Sequence, residues 1–250
     1  MQKILGYILT PLFFFFFGLT LLVFHPIQWF CHNVLGYRSH GFSVAFMNLC
    51  LMRCTNLLGT RYSFHIEEKL PVGRPLIIVA NHQSMFDIPP IIWHMRKYHP
   101  KFVSKKELGK GIPSVSYNLR HAGSALIDRK DNKQALTEIA KLGRYIEEHK
   151  RTAVIFPEGT RSRNGEIKKF QPTGLKILMK NAPSALVVPI SINNSWKLLR
   201  YGKFPMGVGS HLKFLVHPPI ENSGAPEDML FRIERQIISG VEQSSNSRVV

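Results

Sequence analysis

From residue 4 to residue 24 no charged side chain interrupts the apolar run, and positions 13–17 are five consecutive phenylalanines. That length reaches the ~20 residues a membrane-spanning helix needs. Pro11 and Gly18 are tolerated in such helices. Trp29, with His25 and Pro26 before it, marks an interfacial end. The apolar region is too long for a cleavable signal peptide, and no small-x-small cleavage site precedes His32. A second apolar stretch, 42–58, is interrupted by Asn48, Arg53, Thr55 and Asn56, which predicts a helix lying in or re-entering the interface. Cys50 and Cys54 sit one helical turn apart on it and read as small packing residues.

After residue 60 the pattern changes. Positions 61–65 alternate and predict an edge strand. The short, β-branched runs 76–80, 101–104, 124–127, 153–156, 185–192 and 212–217 predict further strands. Helical spacing fills the gaps at 86–97, 112–121, 173–181 and 226–242. In the best-patterned helix Ala135, Leu136, Ile139, Leu142 and Ile146 recur behind a cap at Asp131 or Asn132. Residues 243–250 read as a frayed tail. Strands alternating with helices predict an α/β fold: a mixed, largely parallel sheet flanked by helices, with an N-terminal membrane-associated helical hairpin. The division is 1–60 for the anchoring helices and 61–250 for a catalytic domain.

Charge sharpens this picture. There are 33 Lys and Arg against 16 Asp and Glu, a formal net of +17. Residues 1–60 hold only Lys3, Arg38 and Arg53 and no acid, so the excess lies in the main domain. Such a balance implies a polyanionic partner, whether an anionic membrane surface, a phosphorylated substrate or nucleic acid. Basic residues after the apolar segments favour a cytoplasmic side for the main domain, and the expected location is the inner (cytoplasmic) membrane. The three cysteines suggest neither a disulfide framework nor a zinc site, which fits a reducing compartment and no metal.

The candidate chemistry sits where predicted strands end, the place α/β folds use for it. After 76–80 comes Asn81-His82-Gln83-Ser84-Met85-Phe86-Asp87. His82 suits a general base, and Asp87 suits the carboxylate that fixes its tautomer. Ser84 lacks the Gly-x-Ser-x-Gly setting of a nucleophile. After 153–156 comes Pro157-Glu158-Gly159-Thr160-Arg161-Ser162. Gly159 allows close backbone approach, and Thr160 and Arg161 offer donors for a phosphate. Glu158 belongs to the same set as a structural residue or an orienter of Arg161, because a carboxylate facing a phosphate is unfavourable. Lys105, after 101–104, and Arg129, after 124–127, supply further cations. A basic protein bound to a membrane or to nucleic acid explains the charge but not the His/Asp pair. A lipid hydrolase built on the same His lacks its nucleophile motif.

Four ordered blocks resemble the 1-acyl-glycerol-3-phosphate acyltransferase family: Asn-His-x4-Asp at 81–87, Gly-x3-Ile-Asp-Arg at 123–129, Phe-Pro-Glu-Gly-Thr-Arg-Ser at 156–162 and Val-Pro-Ile-Ser-Ile at 188–192. The likeness runs from about residue 70 to 195. It implies acyl transfer from a thioester, acyl-CoA or acyl carrier protein, to the free sn-2 hydroxyl of a 1-acyl-glycerol-3-phosphate, giving phosphatidic acid. The alternative acceptor is a lysophospholipid with another headgroup. The resemblance further implies His82 and Asp87 as catalytic residues and no cofactor beyond the acyl thioester. It also implies lysophospholipid and thioester as partners, with acyl carrier protein as a further candidate; the charge points to an anionic membrane surface, and the concentration of aromatics in the N-terminal stretch argues against nucleic acid.

Overall fold

The computed structural model describes residues 2–242, so the 243–250 tail lies outside the described residues. The chain opens with helix α1 (Gln2–Phe30), which runs into a π-helical turn, Cys31–Leu35. Gly36, at φ 82°, takes a backbone conformation costly for other residues and reverses the chain. Helix α2 (Tyr37–Asn56) then returns alongside α1. Both helices start earlier than their apolar cores, because polar residues continue a helix wherever the backbone bonds persist.

The strands are β1 (Arg61–Ile66), β2 (Leu76–Ala80), β3 (Pro100–Lys105), β4 (Ala125–Ile127), β5 (Thr152–Ile155), β6 (Leu186–Asn193), β7 (His211–Val216) and β8 (Ile220–Glu221). They form one sheet in the order β1-β7-β6-β2-β5-β3-β4. The block from β6 to β4 is parallel throughout, whereas β7 runs antiparallel to β6 and parallel to β1. β8 pairs with the first two residues of β6 and was not expected from the sequence. Two residues are too short for any period to show, and Pro218 and Pro219 separate them from β7.

Helices cover both faces. On one face, Phe13 of α1 and Val44, Ala45 and Cys54 of α2 share a buried cluster with Ile78, Val154 and Ile190 of the sheet, and helix α3 (Ile88–His94) adds Ile91. On the other face, helices α5 (Asn132–His149), α6 (Pro172–Asn181) and α7 (Pro226–Ser239) pack Ile139, Leu175 and Ile233 against Ile77, Val79 and Ala153. The N-terminal hairpin is therefore a packed layer of the core. The helix expected at 86–97 is split into a 3₁₀ turn (Met85–Asp87), α3 and a second 3₁₀ turn (Arg96–Tyr98). Pro89 and Pro90 are confined to the start of α3, where their missing N–H groups cost nothing. Helix α4 (Val115–His121) starts later than expected. Just before it, the Ser114 N–H donates to His25 Nδ1 (3.1 Å) and its hydroxyl to the Leu21 carbonyl (2.6 Å), tying this turn to α1.

Candidate active site

Because β2, β5, β3 and β4 are parallel neighbours, their C-terminal ends share one edge of the sheet. The residues delivered there are His82 after β2, the 156–162 loop after β5, Lys105 at the end of β3 and Arg129 after β4. Neighbouring strands lie about 4.8 Å apart, so the β5 loop is next to His82, with Lys105 about 10 Å and Arg129 about 15 Å along the edge.

Asn81 extends the pairing of β2 by one residue. Its side-chain amide donates to the Ile192 carbonyl (2.9 Å) and accepts from the Ile192 N–H (2.7 Å), copying a strand pair before the chain turns away. His82 follows with its ring stacked on Phe156, centroids 4.1 Å apart. Its Nδ1 lies 2.7 Å from Asp87 Oδ2. An ionised carboxylate only accepts, so Nδ1 carries the proton and Nε2 holds the lone pair. The stacking and the hydrogen bond together fix the ring plane.

Asp87 is fully buried. Its Oδ2 also accepts the N–H groups of Gln83 (2.8 Å) and Ser84 (3.0 Å), and its Oδ1 accepts the Ser195 hydroxyl. Every oxygen of this buried carboxylate thus has a donor, as burial demands. Ser195 was not anticipated from the sequence. Gln83 joins the same network by accepting the Ser195 N–H on Oε1 (3.1 Å). Ser84 is fully buried, and its Oγ accepts the Phe86 N–H (3.1 Å) to cap the 3₁₀ turn, a structural task.

The β5 loop is fastened to the His82 loop from both sides. The His82 N–H donates to Glu158 Oε1 (2.7 Å), and the Ser162 N–H donates to the His82 carbonyl (2.7 Å). Glu158 Oε2 accepts the Lys168 N–H (2.9 Å). Both Glu158 oxygens are therefore directed at backbone, and the side chain is buried beneath the loop. This geometry suits a brace between the loops better than a phosphate contact. Burial pushes its carboxyl above the usual range, and the two N–H donors pull it back. Gly159 adopts φ 66° with open space where a side chain would begin. The Lys168 ammonium donates to Thr160 Oγ1 (3.1 Å) and to the Arg161 carbonyl (2.8 Å), which supports the loop from outside.

Arg161 is exposed at the loop tip. Partial burial and the neighbouring Arg161 guanidinium hold Arg129 below its ordinary value, while Glu107 opposes the shift. The Arg161 guanidinium thus disfavours the charge on Arg129, and an anion placed near Arg129 would relieve that. Lys105 is exposed on the same edge.

The sequence profile of the Acyltransferase family matches residues 61–193. The 1-acyl-sn-glycerol-3-phosphate acyltransferase of Helicobacter pylori is 39% identical over 135 residues, 50% of this chain and 54% of that protein. The chain spans about half the length of the first curated relatives it matches. The protein of the same name from Borreliella burgdorferi is 27% identical over 80% of this chain and 79% of its own. A crystal structure of the 1-acyl-sn-glycerophosphate (LPA) acyltransferase PlsC from Thermotoga maritima superposes with a TM-score of 0.80 at 26% identity, covering 97% of both chains. A profile that covers more than half of the chain, and contains both the His82–Asp87 turn and the Arg161 loop, places it in the Acyltransferase family.

Proposed function

We propose that the protein transfers a fatty acyl chain from a thioester to the free sn-2 hydroxyl of 1-acyl-glycerol-3-phosphate, giving phosphatidic acid. The observation that carries this reading is the His82–Asp87 pair on the same sheet edge as the Arg129 and Arg161 guanidinium groups. The names of the Helicobacter, Borreliella and Thermotoga relatives support it.

His82 Nε2 takes the proton of the acceptor hydroxyl as its oxygen attacks the thioester carbonyl. Asp87 stabilises the imidazolium that forms. Collapse of the tetrahedral intermediate breaks the C–S bond, and the imidazolium returns the proton to the departing thiolate. A thioester is already activated, so the acceptor hydroxyl serves as nucleophile and no acyl-enzyme is needed. Arg161, with Arg129 and Lys105, holds the acceptor phosphate by charge and donors, and Gly159 lets the loop backbone approach it. The donor is acyl-CoA or acyl carrier protein.

The membrane supplies the acceptor. The helix spanning Gln2–Leu35 is long and apolar enough to cross a bilayer, and only 22% of its most apolar stretch is buried in the protein. Ile8, Phe15, Leu22, Val34 and Phe42 are each at least 60% exposed. Such a continuous apolar face belongs in lipid. It would hold the sheet edge near the headgroups of an anionic leaflet on the cytoplasmic side.

The test is thiol release from acyl-CoA and from acyl carrier protein, with and without lysophosphatidic acid, and with the product lipid identified by mass spectrometry. Release should depend on acceptor, the product should be phosphatidic acid, and His82→Ala should lower turnover at least about 100-fold while keeping its fold. Acceptor-independent release, or near-normal turnover in folded His82→Ala, contradicts the mechanism. A different acylated headgroup moves the acceptor assignment and leaves the chemistry standing.

A further inference from the structure

At the opposite edge of the sheet, β3 and β5 begin beside basic residues that have no acid against them. Lys101, the second residue of β3, is 6% exposed. Arg151 immediately precedes β5. Both approach the ring of Tyr37, on the first turn of α2. The Lys101 ammonium is 4.9 Å, and the Arg151 guanidinium 3.7 Å, from the ring centroid. A cavity of about 40 Å³ opens at this point, lined by Tyr37, His40, Arg96, His99 and Lys101. One water needs about 10–15 Å³, so the space matches about three waters, the size class of a tetrahedral oxyanion.

Two of the polar groups around it are unsatisfied. Tyr37 Oη and His40 Nε2 are buried without a hydrogen-bond partner. Among the described residues no carboxylate pairs with Lys101, Arg151, Arg96 or Arg38. Burial and then the Arg151 charge push Lys101 down to about 7. The Tyr37 ring face offsets part of that cost, but it is shared by two like charges. An apolar side chain would be cheaper at a buried position with no counter-ion. The start of α2, a helix of 20 residues, adds its positive end.

We infer that this cavity is a second anion site, which takes a phosphate group from a lipid phosphomonoester or from free phosphate. Lys101, His40 and Tyr37 would donate to it, and Arg151 would add charge. The four residue steps from Lys101 to Lys105 span about 13 Å of strand, which separates this site from the catalytic edge. The inference stands whether or not His82 transfers acyl groups.

The experiment follows thermal unfolding of the full-length protein in uncharged detergent, at fixed ionic strength, with inorganic phosphate against chloride. A parallel arm uses short-chain phosphatidic acid. The background is Arg161→Ala, which weakens anion binding at the catalytic edge. Phosphate should raise the midpoint by several degrees in that background, and Lys101→Met added to it should abolish the rise. Without phosphate, Lys101→Met should melt higher than its parent, because it removes an unpaired buried charge. If that variant does not fold, Arg151→Gln reads the same loss. A shift with inorganic phosphate identifies a free-anion site, and a shift with the lipid alone identifies a headgroup site. The inference is overturned if neither probe shifts the Arg161→Ala protein, or if the shift survives both Lys101→Met and Arg151→Gln.

Discussion

Asp87 shows how much of this site depends on groups that never touch substrate. Four donors converge on one buried carboxylate, and three of them come from the turn that contains it. The fourth, the Ser195 hydroxyl, comes from a different part of the fold. A hydrogen bond to a charged group contributes about 1.5–3 kcal/mol. Ser195→Ala should therefore lower kcat by about tenfold or more and leave the acceptor KM within about twofold, with Ser195→Thr recovering part of the rate. A merely structural role would lower the melting midpoint and leave the kcat of the folded fraction unchanged. The His82–Asp87 relation was legible because both residues sit within one short turn after a β-branched run. Ser195 was not legible: it is 108 positions from its partner and stands in a turn with no local motif.

At the scale of elements, the site is an agreement between two loops. The strand ends were readable because apolar runs of four to eight residues mark parallel strands and the chemistry follows them. The mutual lacing of the loops was not readable, because it uses backbone groups that any sequence supplies. Glu158 is the case in point. In the sequence it stands among phosphate-facing residues, and in the fold it joins the His82 N–H to the Lys168 N–H. Glu158→Gln keeps one acceptor and turns an amide N–H₂ toward a backbone N–H. Leaving a buried donor unpaired costs about 1–3 kcal/mol. A lower melting midpoint and a lower kcat should appear together, since displacing the backbone of His82 displaces its ring. If only the acceptor KM rises, with midpoint and kcat unchanged, Glu158 acts on the phosphate through Arg161 and the brace assignment fails.

At the scale of the whole molecule, one helix has a buried face that joins the core and an exposed apolar face that we propose meets lipid. The periodicity of α1 concealed this, since an apolar residue suits a core and a bilayer equally, and the unbroken run of phenylalanines gives no polar stripe to separate them. Three dimensions separate them. Phe13 is 1% exposed and meets Phe86 at 6.0 Å between ring centroids, one residue before Asp87, whereas Phe15 is 64% exposed. The Thr10 hydroxyl accepts the Met206 N–H (2.9 Å), and the Ser114 hydroxyl reaches the Leu21 carbonyl, so the inward face is held along much of its length. Deleting the hairpin would therefore remove part of the core along with any anchor, and would not isolate the membrane role. Substitutions on one face at a time do isolate it. Phe13→Ala should destabilise the protein by about 3–5 kcal/mol, the usual cost of truncating a buried phenylalanine, and should leave membrane attachment intact while the protein is folded. A combined Ile8→Lys, Phe15→Lys and Leu22→Lys variant should change the melting midpoint little in detergent, because each of these side chains is exposed. It should nevertheless lose attachment that resists a high-salt wash, since apolar insertion is not screened by salt and the remaining basic surface is. Its activity should fall on bilayer-embedded acceptor and persist on a short-chain, soluble one. If the triple variant stays in the membrane through the salt wash, the outward face of α1 is not what holds the protein to lipid.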